Sequence, residues 1–258
     1  MNLPEMLTAR EAVSGGFRTN ITENWLQGRT AYGGLSAALA YEAAKDVAED
    51  LPPLRSAQVS FIGPLTGEVE VQAKLERQGR NAAFVSATVH GEKGIGLSAM
   101  FVFMREIESH IDFSGYPAPP VPEPVPLAKG SAPVGPAPTF IENFEMTQFE
   151  RFEGQPMADM TRWFRLKERD GLDPMTEAVL IGDGLPPAAM AVMKERINIS
   201  SLTWIYNILA EPKTDDGWWL LRATSDHAKH GASSQDMSVW NRGGELVARG
   251  MQSIALFG

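Results

Sequence analysis

Apolar and polar side chains alternate strictly through "VEVQAKLER". Val69, Val71, Ala73 and Leu75 fall on one side, and Glu70, Gln72, Lys74 and Glu76 on the other. A period of two predicts a half-buried strand. "AAFVSATVH" and "GLSAMFVFM" continue the pattern on either side of the turn "GEKG". Before these runs, "TAYGGLSAALAYEAAKDVAEDL" is rich in alanine and predicts a helix, preceded by a short strand near Phe17–Thr22. The first half reads strand, helix, then four strand-like runs, three of which are those quoted.

The second half repeats that order. "TRWFRLKE" predicts a strand, and Asp173-Pro174 opens a helix with a good cap and a proline in the first turn. Strand-like runs follow at "INISSLTWIYNIL", "GWWLLRATS", "SQDMSVWN" and "ELVARGMQSIALF". The two series are offset by about 150 residues, which implies a duplicated unit. One helix beside a long antiparallel meander is an α+β layout, with the helix lying on one face of the sheet. Between the halves, the proline-rich tract Tyr116–Pro138 can supply few ladder hydrogen bonds and predicts an extended linker or surface strap. The expected division is residues 1–105, a linker over 106–140, and a second unit over 141–258.

Composition narrows the function. With 43% hydrophobic and 21% charged residues, the chain has the make-up of a soluble globular protein. A net charge of −9 argues against nucleic acid or an anionic membrane as partner, since both select a basic face. The absence of cysteine excludes disulfides, thiolate zinc sites and a cysteine nucleophile. No apolar run approaches the roughly 18 residues of a membrane span, and no signal-peptide pattern is seen, so a cytoplasmic location is expected.

Four features could carry chemistry. In "LIGDGLPP", Asp183 lies four residues after Val179 and three after Leu180, which places it on the helix's apolar face if the helix reaches it. There its carboxyl would be desolvated and its pKa displaced. Alternatively the helix stops at Gly182, and Asp183 merely opens an Asp-Gly turn. Period two in "ELVARGMQSIALF" aligns Leu246, Ala248, Gly250, Gln252, Ile254 and Leu256, and Gln252 is the polar side chain among them. Its counterpart in the first half is near Phe101. In "INISSLTWI", Ile197, Ile199, Ser201, Thr203 and Ile205 share a face, so Ser201 places a hydroxyl among isoleucines. Both Gln252 and Ser201 could equally be satisfied by the backbone. Gly33 and Gly34, at a helix start, either expose backbone N–H groups to a ligand or permit close packing.

Other signals point less far. "SDHAKHG" holds Asp226, His227 and His230 at a spacing that fits no standard metal site, so no metal is expected. Trp218 and Trp219 read as core and interface. No Gly-x-Ser-x-Gly elbow is present, which argues against an α/β-hydrolase mechanism.

The order of elements, with "GRTAYGGLSAALAYEAA" in the first half and "LIGDGLPP", "ISSLTWI" and "ARGMQSIAL" in the second, resembles the acyl-CoA thioesterase II family of double-hotdog proteins. The resemblance covers most of the chain. It implies two tandem hotdogs, each a curved antiparallel sheet wrapped around one long helix, and hydrolysis of acyl-CoA thioesters without a cofactor. Asp183, Ser201 and Gln252 match the family's Asp–Thr–Gln set in order and approximate spacing, with Ser in place of Thr. On that basis Asp183 would serve as base or water orienter, Ser201 and Gln252 would hold the water, and N–H groups near Gly33 and Gly34 would polarise the carbonyl. The resemblance also implies a homo-oligomer, a dimer of double hotdogs. Candidates for the CoA phosphates are Arg29, Arg55, Arg80 and Arg222. Two other functions fit the same fold: a non-catalytic acyl-thioester binder, and a hydratase or dehydratase, which needs an Asp–His pair.

Overall fold

The computed structural model describes residues 1–128, 137–195 and 197–257. Residues 129–136 of the proline-rich tract lie outside the described residues.

The first unit is built on β1 (Gly16–Ile21), α1 (Gly33–Lys45), β2 (Leu54–Phe61), β3 (Gly67–Gln78), β4 (Ala82–Gly91) and β5 (Gly94–Met104), with a short helix, Leu3–Thr8, ahead of them. The second repeats this with β6 (Asp159–Leu166), α2 (Pro174–Gly182), β7 (Asn198–Ile208), β8 (Trp219–Lys229), β9 (Ala232–Trp240) and β10 (Leu246–Phe257). All ten join one sheet, in the spatial order β1-β3-β4-β5-β2-β7-β10-β9-β8-β6. Short edge strands, Glu11–Val13 and Phe144–Met146, extend it to twelve among the described residues. The fold is α+β, as the periodicity predicts.

The units meet where β2 pairs antiparallel with β7, Gln58 opposite Ile205. A pseudo-twofold axis passes between those two residues. It relates Trp204 to Ala57 and, through the neighbouring ladders, Gln252 to Phe101.

The helices lie side by side on the sheet's inner face and run antiparallel. The Tyr32 hydroxyl, at the start of α1, donates to the Leu180 carbonyl near the end of α2 at 2.6 Å. At the other end, Lys45 pairs with Asp173 at 3.2 Å. α1 is buried from Gly34 to Ala44, and its run of alanines lets sheet and second helix approach on different sides. α2 opens as expected, with the Asp173 side chain accepting from the Met175 N–H and Pro174 in the first turn.

The expected face of β7 requires a correction. A bulge between Ser201 and Thr203 inserts Leu202, and one extra residue reverses the alternation beyond it. Ile199 and Ser201 remain half-buried, but Trp204, Tyr206 and Ile208 then turn inward, leaving Thr203 and Ile205 exposed.

The described part of the proline-rich tract straps the outer face of the second unit. Tyr116 stacks on Trp240 at 5.7 Å, and the indoles of Trp240 and Trp163 donate to the carbonyls of Tyr116 and Pro122. Trp218 belongs to this outer cluster. Its neighbour Trp219 faces the opposite core, and its indole N–H donates to Glu177 at 3.0 Å. Among the described residues, no helix is long and apolar enough to cross a membrane.

Candidate active site

An acid at a helix C-terminus meets the negative end of the helix dipole. α2 does end at Gly182, and Asp183 is its C-cap residue, so the local turn geometry of the second reading is correct. The side chain nevertheless enters a built site. Because the helices are antiparallel, the C-terminus of α2 abuts the N-terminus of α1, where backbone N–H groups lack helical partners. The α1 cap residue, Tyr32, supplies no side-chain hydrogen bond to them. The Gly34 N–H faces the Asp183 carboxylate and favours its charged form. The last carbonyls of α2 are served by phenols: Tyr32 donates to Leu180, and Tyr206 to Ala178 at 3.0 Å.

Gln252 approaches from the sheet, where it is directly opposite Trp204 on β7. Its Nε2 donates to Asp183 Oδ1 at 2.6 Å. Asp183 is half-buried, but its carboxyl is enclosed enough that desolvation, only partly offset by the Gln252 and Gly34 donors, pushes its pKa up to about 7. Among the described residues no cation is among the causes of that shift.

The glycines expected to form N–H donors divide their roles. A methyl group at Gly33 would lie 2.6 Å from Asp183 Oδ2 and about 3 Å from the Phe61 ring, so this glycine makes room for the carboxylate. A methyl at Gly34 would lie 2.3 Å from the Leu180 carbonyl oxygen, so this one lets the two helices touch. The Gly34 N–H is directed at Asp183. Among the described residues no backbone partner of the Gly33 N–H is found, which makes it a candidate donor for a ligand.

Ser201 pairs with Ile254, one inward position along β10 from Gln252. It shares the inner face with Gln252, but among the described residues no hydrogen bond joins its hydroxyl to Asp183 or Gln252.

One polar residue beside this site escaped the sequence reading. Gln235 on β9 is opposite Gln252, is 1% exposed, and donates from Nε2 to Gln252 Oε1 at 2.9 Å. Its own Oε1 accepts from the Ala188 N–H at 2.8 Å. Alternation in "SSQDMSVW" puts Gln235 on the face of Met237 and Val239, the same signal that exposed Gln252.

The pseudo-twofold counterpart of this site is built differently. Glu42 and Asp183 each lie ten residues after the residue that caps their helix, Tyr32 and Asp173. Glu42 is held by Arg10 at 3.0 Å, by Lys45 at 2.6 Å and by the Thr176 hydroxyl. The sheet positions related to Gln252 and Gln235 are Phe101 and Val85, both fully buried. The polar set therefore occurs on one side of the axis.

Of the four arginines considered for phosphate binding, Arg222 is already committed to a buried ion pair with Asp159 at 2.7 Å. Arg55 donates to the Ile208 carbonyl at the seam between units. Arg29 and Arg80 are exposed. Among the described residues, no group of three or more His, Asp or Glu is placed to hold a metal ion.

Similarity to known proteins follows the same outline. Structures alike over nearly the whole chain include a conserved hot dog fold protein of unknown function from Alicyclobacillus acidocaldarius. Its TM-score is 0.85 at 20% identity, with 100% of this chain and 99% of that chain covered. The tesB protein of Mycobacterium avium subs paratuberculosis gives 0.80 at 18% identity, covering 100% of both chains. The acyl-CoA thioesterase II TesB2 of Mycobacterium marinum gives 0.75 at 16% identity, covering 98% and 97%. At such identities these likenesses show the hotdog fold. Among curated protein sequences there is no significant match. Residues 21–104 match the family model of the acyl-CoA thioesterase N-terminal domain, and residues 117–256 that of the C-terminal domain. With both halves matched in order, the chain belongs to the acyl-CoA thioesterase family.

Proposed function

We propose that this chain hydrolyses acyl-CoA thioesters by direct attack of water, with Asp183 as general base. The observation that carries this reading is a half-buried carboxylate with a pKa near 7, aimed at an unsatisfied helix N-terminus and held by Gln252. A base of that pKa is half-ionised at neutral pH and gains the most from taking a proton there.

With Gln252 on Oδ1 and the Gly34 N–H also directed at the carboxylate, Oδ2 keeps a lone pair to accept from water. As the water oxygen bonds to the thioester carbonyl carbon, its proton passes to Oδ2. The negative charge developing on the carbonyl oxygen is met by the Gly33 N–H at the positive end of α1. Collapse breaks the C–S bond and returns the proton to the departing thiolate, giving the free acid and CoA thiol. A thioester is activated enough that positioned water and one charge-stabilising site suffice without a covalent intermediate. Ser201, on the same inner face, is suited to hold the water from the sheet side.

The test is release of free CoA by the wild type from short, medium, long and aryl acyl-CoAs, across pH. kcat/KM is expected to rise with pH and to reach half its maximum near 7, where Asp183 ionises. A pH-independent rate, or no release from any member of the panel, counts against the proposal.

That, among the described residues, no hydrogen bond joins the Ser201 hydroxyl to Asp183 or Gln252 favours one competing reading, a non-catalytic acyl-thioester binder. Tight acyl-CoA binding by calorimetry with no CoA released over hours selects it. A hydratase has no comparable support, because no histidine is among the groups acting on Asp183. The family resemblance also leads us to propose association of these double units into a homo-oligomer, which light scattering tests.

A further inference from the structure

We propose that Gln235 is a positioning residue of this site: it determines which end of the Gln252 amide faces Asp183. The proposal rests on the catalytic reading of Asp183 given above.

A side-chain amide is nearly symmetric in shape, so packing does not choose between its oxygen and its nitrogen. Here the choice is imposed by a chain of hydrogen bonds with one direction. It begins at the Ala188 N–H, a backbone donor that cannot reverse, and this group holds the Gln235 oxygen. Gln235 must then present its NH2 on the other side, where it holds the oxygen of Gln252. Gln252 is left with its own NH2 towards Asp183. Ala188, Gln235 and Gln252 are at most 2% exposed, so bulk water does not compete for these bonds. Had Gln252 turned over, its oxygen would face the carboxylate and two acceptors would repel.

The same chain contains a comparison for this arrangement. Across the pseudo-twofold axis, the row Gln252–Gln235–Ser225 becomes Phe101–Val85–Leu75. Among the described residues, the paired amides stand on the side where the carboxylate has no cationic partner and takes its donor from Gln252. Glu42, on the other side, has Arg10 and Lys45. If Gln235 were needed merely to fill the sheet, an apolar residue would serve, as Val85 does.

Few titratable groups of the described residues lie near Asp183. From α1 the Tyr32 phenol faces it, and from β7 the Tyr206 phenol packs beside Gly182. Burial raises both phenols well above their ordinary range, so both stay neutral through the working pH. β9 and β10 contribute only the two amides, and β2 the Phe61 ring.

The experiment compares wild type with Q235M, Q252M and the double variant. It follows CoA release over roughly pH 5 to 9 and, separately, the Asp183 carboxyl carbon by NMR titration. Q235M keeps the volume and removes the bonds. It is expected to lower kcat about 10- to 100-fold with KM within about threefold. Both midpoints should move up by about one pH unit, because the ionised form loses a fixed donor. The double variant should be no slower than Q252M alone. Unshifted midpoints, or additive losses in the double variant, overturn the proposal.

Q235E provides a check should Q235M fold poorly. A protonated glutamic acid keeps one acceptor and one donor, so Q235E should restore activity at low pH and add a falling limb where Glu ionises. A Q235E profile with no falling limb also overturns the proposal. Failure of the wild type to release CoA would instead strike the functional reading, and the NMR titration would still decide the role of Gln235.

Discussion

Asp183→Asn is expected to lower kcat for acyl-CoA hydrolysis by about 10²- to 10⁴-fold, the range spanned by a positioned general base. Asn is the same size and accepts the Gln252 donor through its oxygen, but it cannot take a proton from water. The loss should fall on kcat with little change in KM, because the proton is transferred only in the transition state. The same substitution should not weaken the fold. Asp183 has a raised pKa in the folded chain, so the folded state holds its proton where the unfolded state has lost it. The stability from this group is therefore complete below the unfolded value near 4, declines as pH rises, and is lost once pH passes about 7. Asn does not ionise and has no such dependence. Thermal unfolding should show the variant at least as stable as wild type at pH 8, with the gap closing towards pH 5. A variant that keeps wild-type turnover removes Asp183 from the mechanism. A loss of turnover accompanied by a steep fall in Tm at both pH values would make its role structural.

Replacing the adjacent glycines separates catalysis from folding. Gly34→Ala drives a methyl group to 2.3 Å from the Leu180 carbonyl and 2.6 Å from the Tyr32 ring. The first obstacle is backbone, so the helices must part, at a cost of about 3 kcal/mol. That should lower Tm by about 6 to 12 °C for a chain of this size. Gly33→Ala meets a side chain instead, the Oδ2 atom of Asp183 at 2.6 Å. A carboxylate can swing aside, so the stability cost should be nearer 1 kcal/mol. The displaced base should still cost about 10²-fold in kcat. Chemical denaturation and steady-state kinetics on the two variants check this together. Equal stability losses would show that the close approach of Asp183 to Gly33 is not what makes glycine necessary there.

Much of this arrangement is legible in single strands. The alternation of Val69, Val71, Ala73 and Leu75 identifies β3, and the same period places Gln252 on a buried face. The capping pair Asp173-Pro174 marks the start of α2. Gln235 obeys the same alternation, yet one amide on a strand face carries no direction and no partner until the neighbouring strand is in register. Ser201 shows the opposite failure. Its inward face was legible, but the bulge at Leu202 was not, because an inserted residue changes pairing without changing composition. The arginines were equally opaque: Arg222 meets Asp159 across two strands far apart in the chain.

The duplicated α+β plan, the start of α2 and the presence of isolated polar groups on apolar faces could be read from the chain alone. Periodicity and capping act over a few residues and are written in the local chain. Tertiary packing alone explains how Asp183 can end a helix and still hold a carboxyl whose pKa is raised to about 7. Antiparallel packing sets the unsatisfied N-terminus of α1 against it, and the sheet register brings Gln252 and, behind it, Gln235 into line. Those groups come from positions 33, 183, 235 and 252, and desolvation displaces the pKa of Asp183 only once they enclose it.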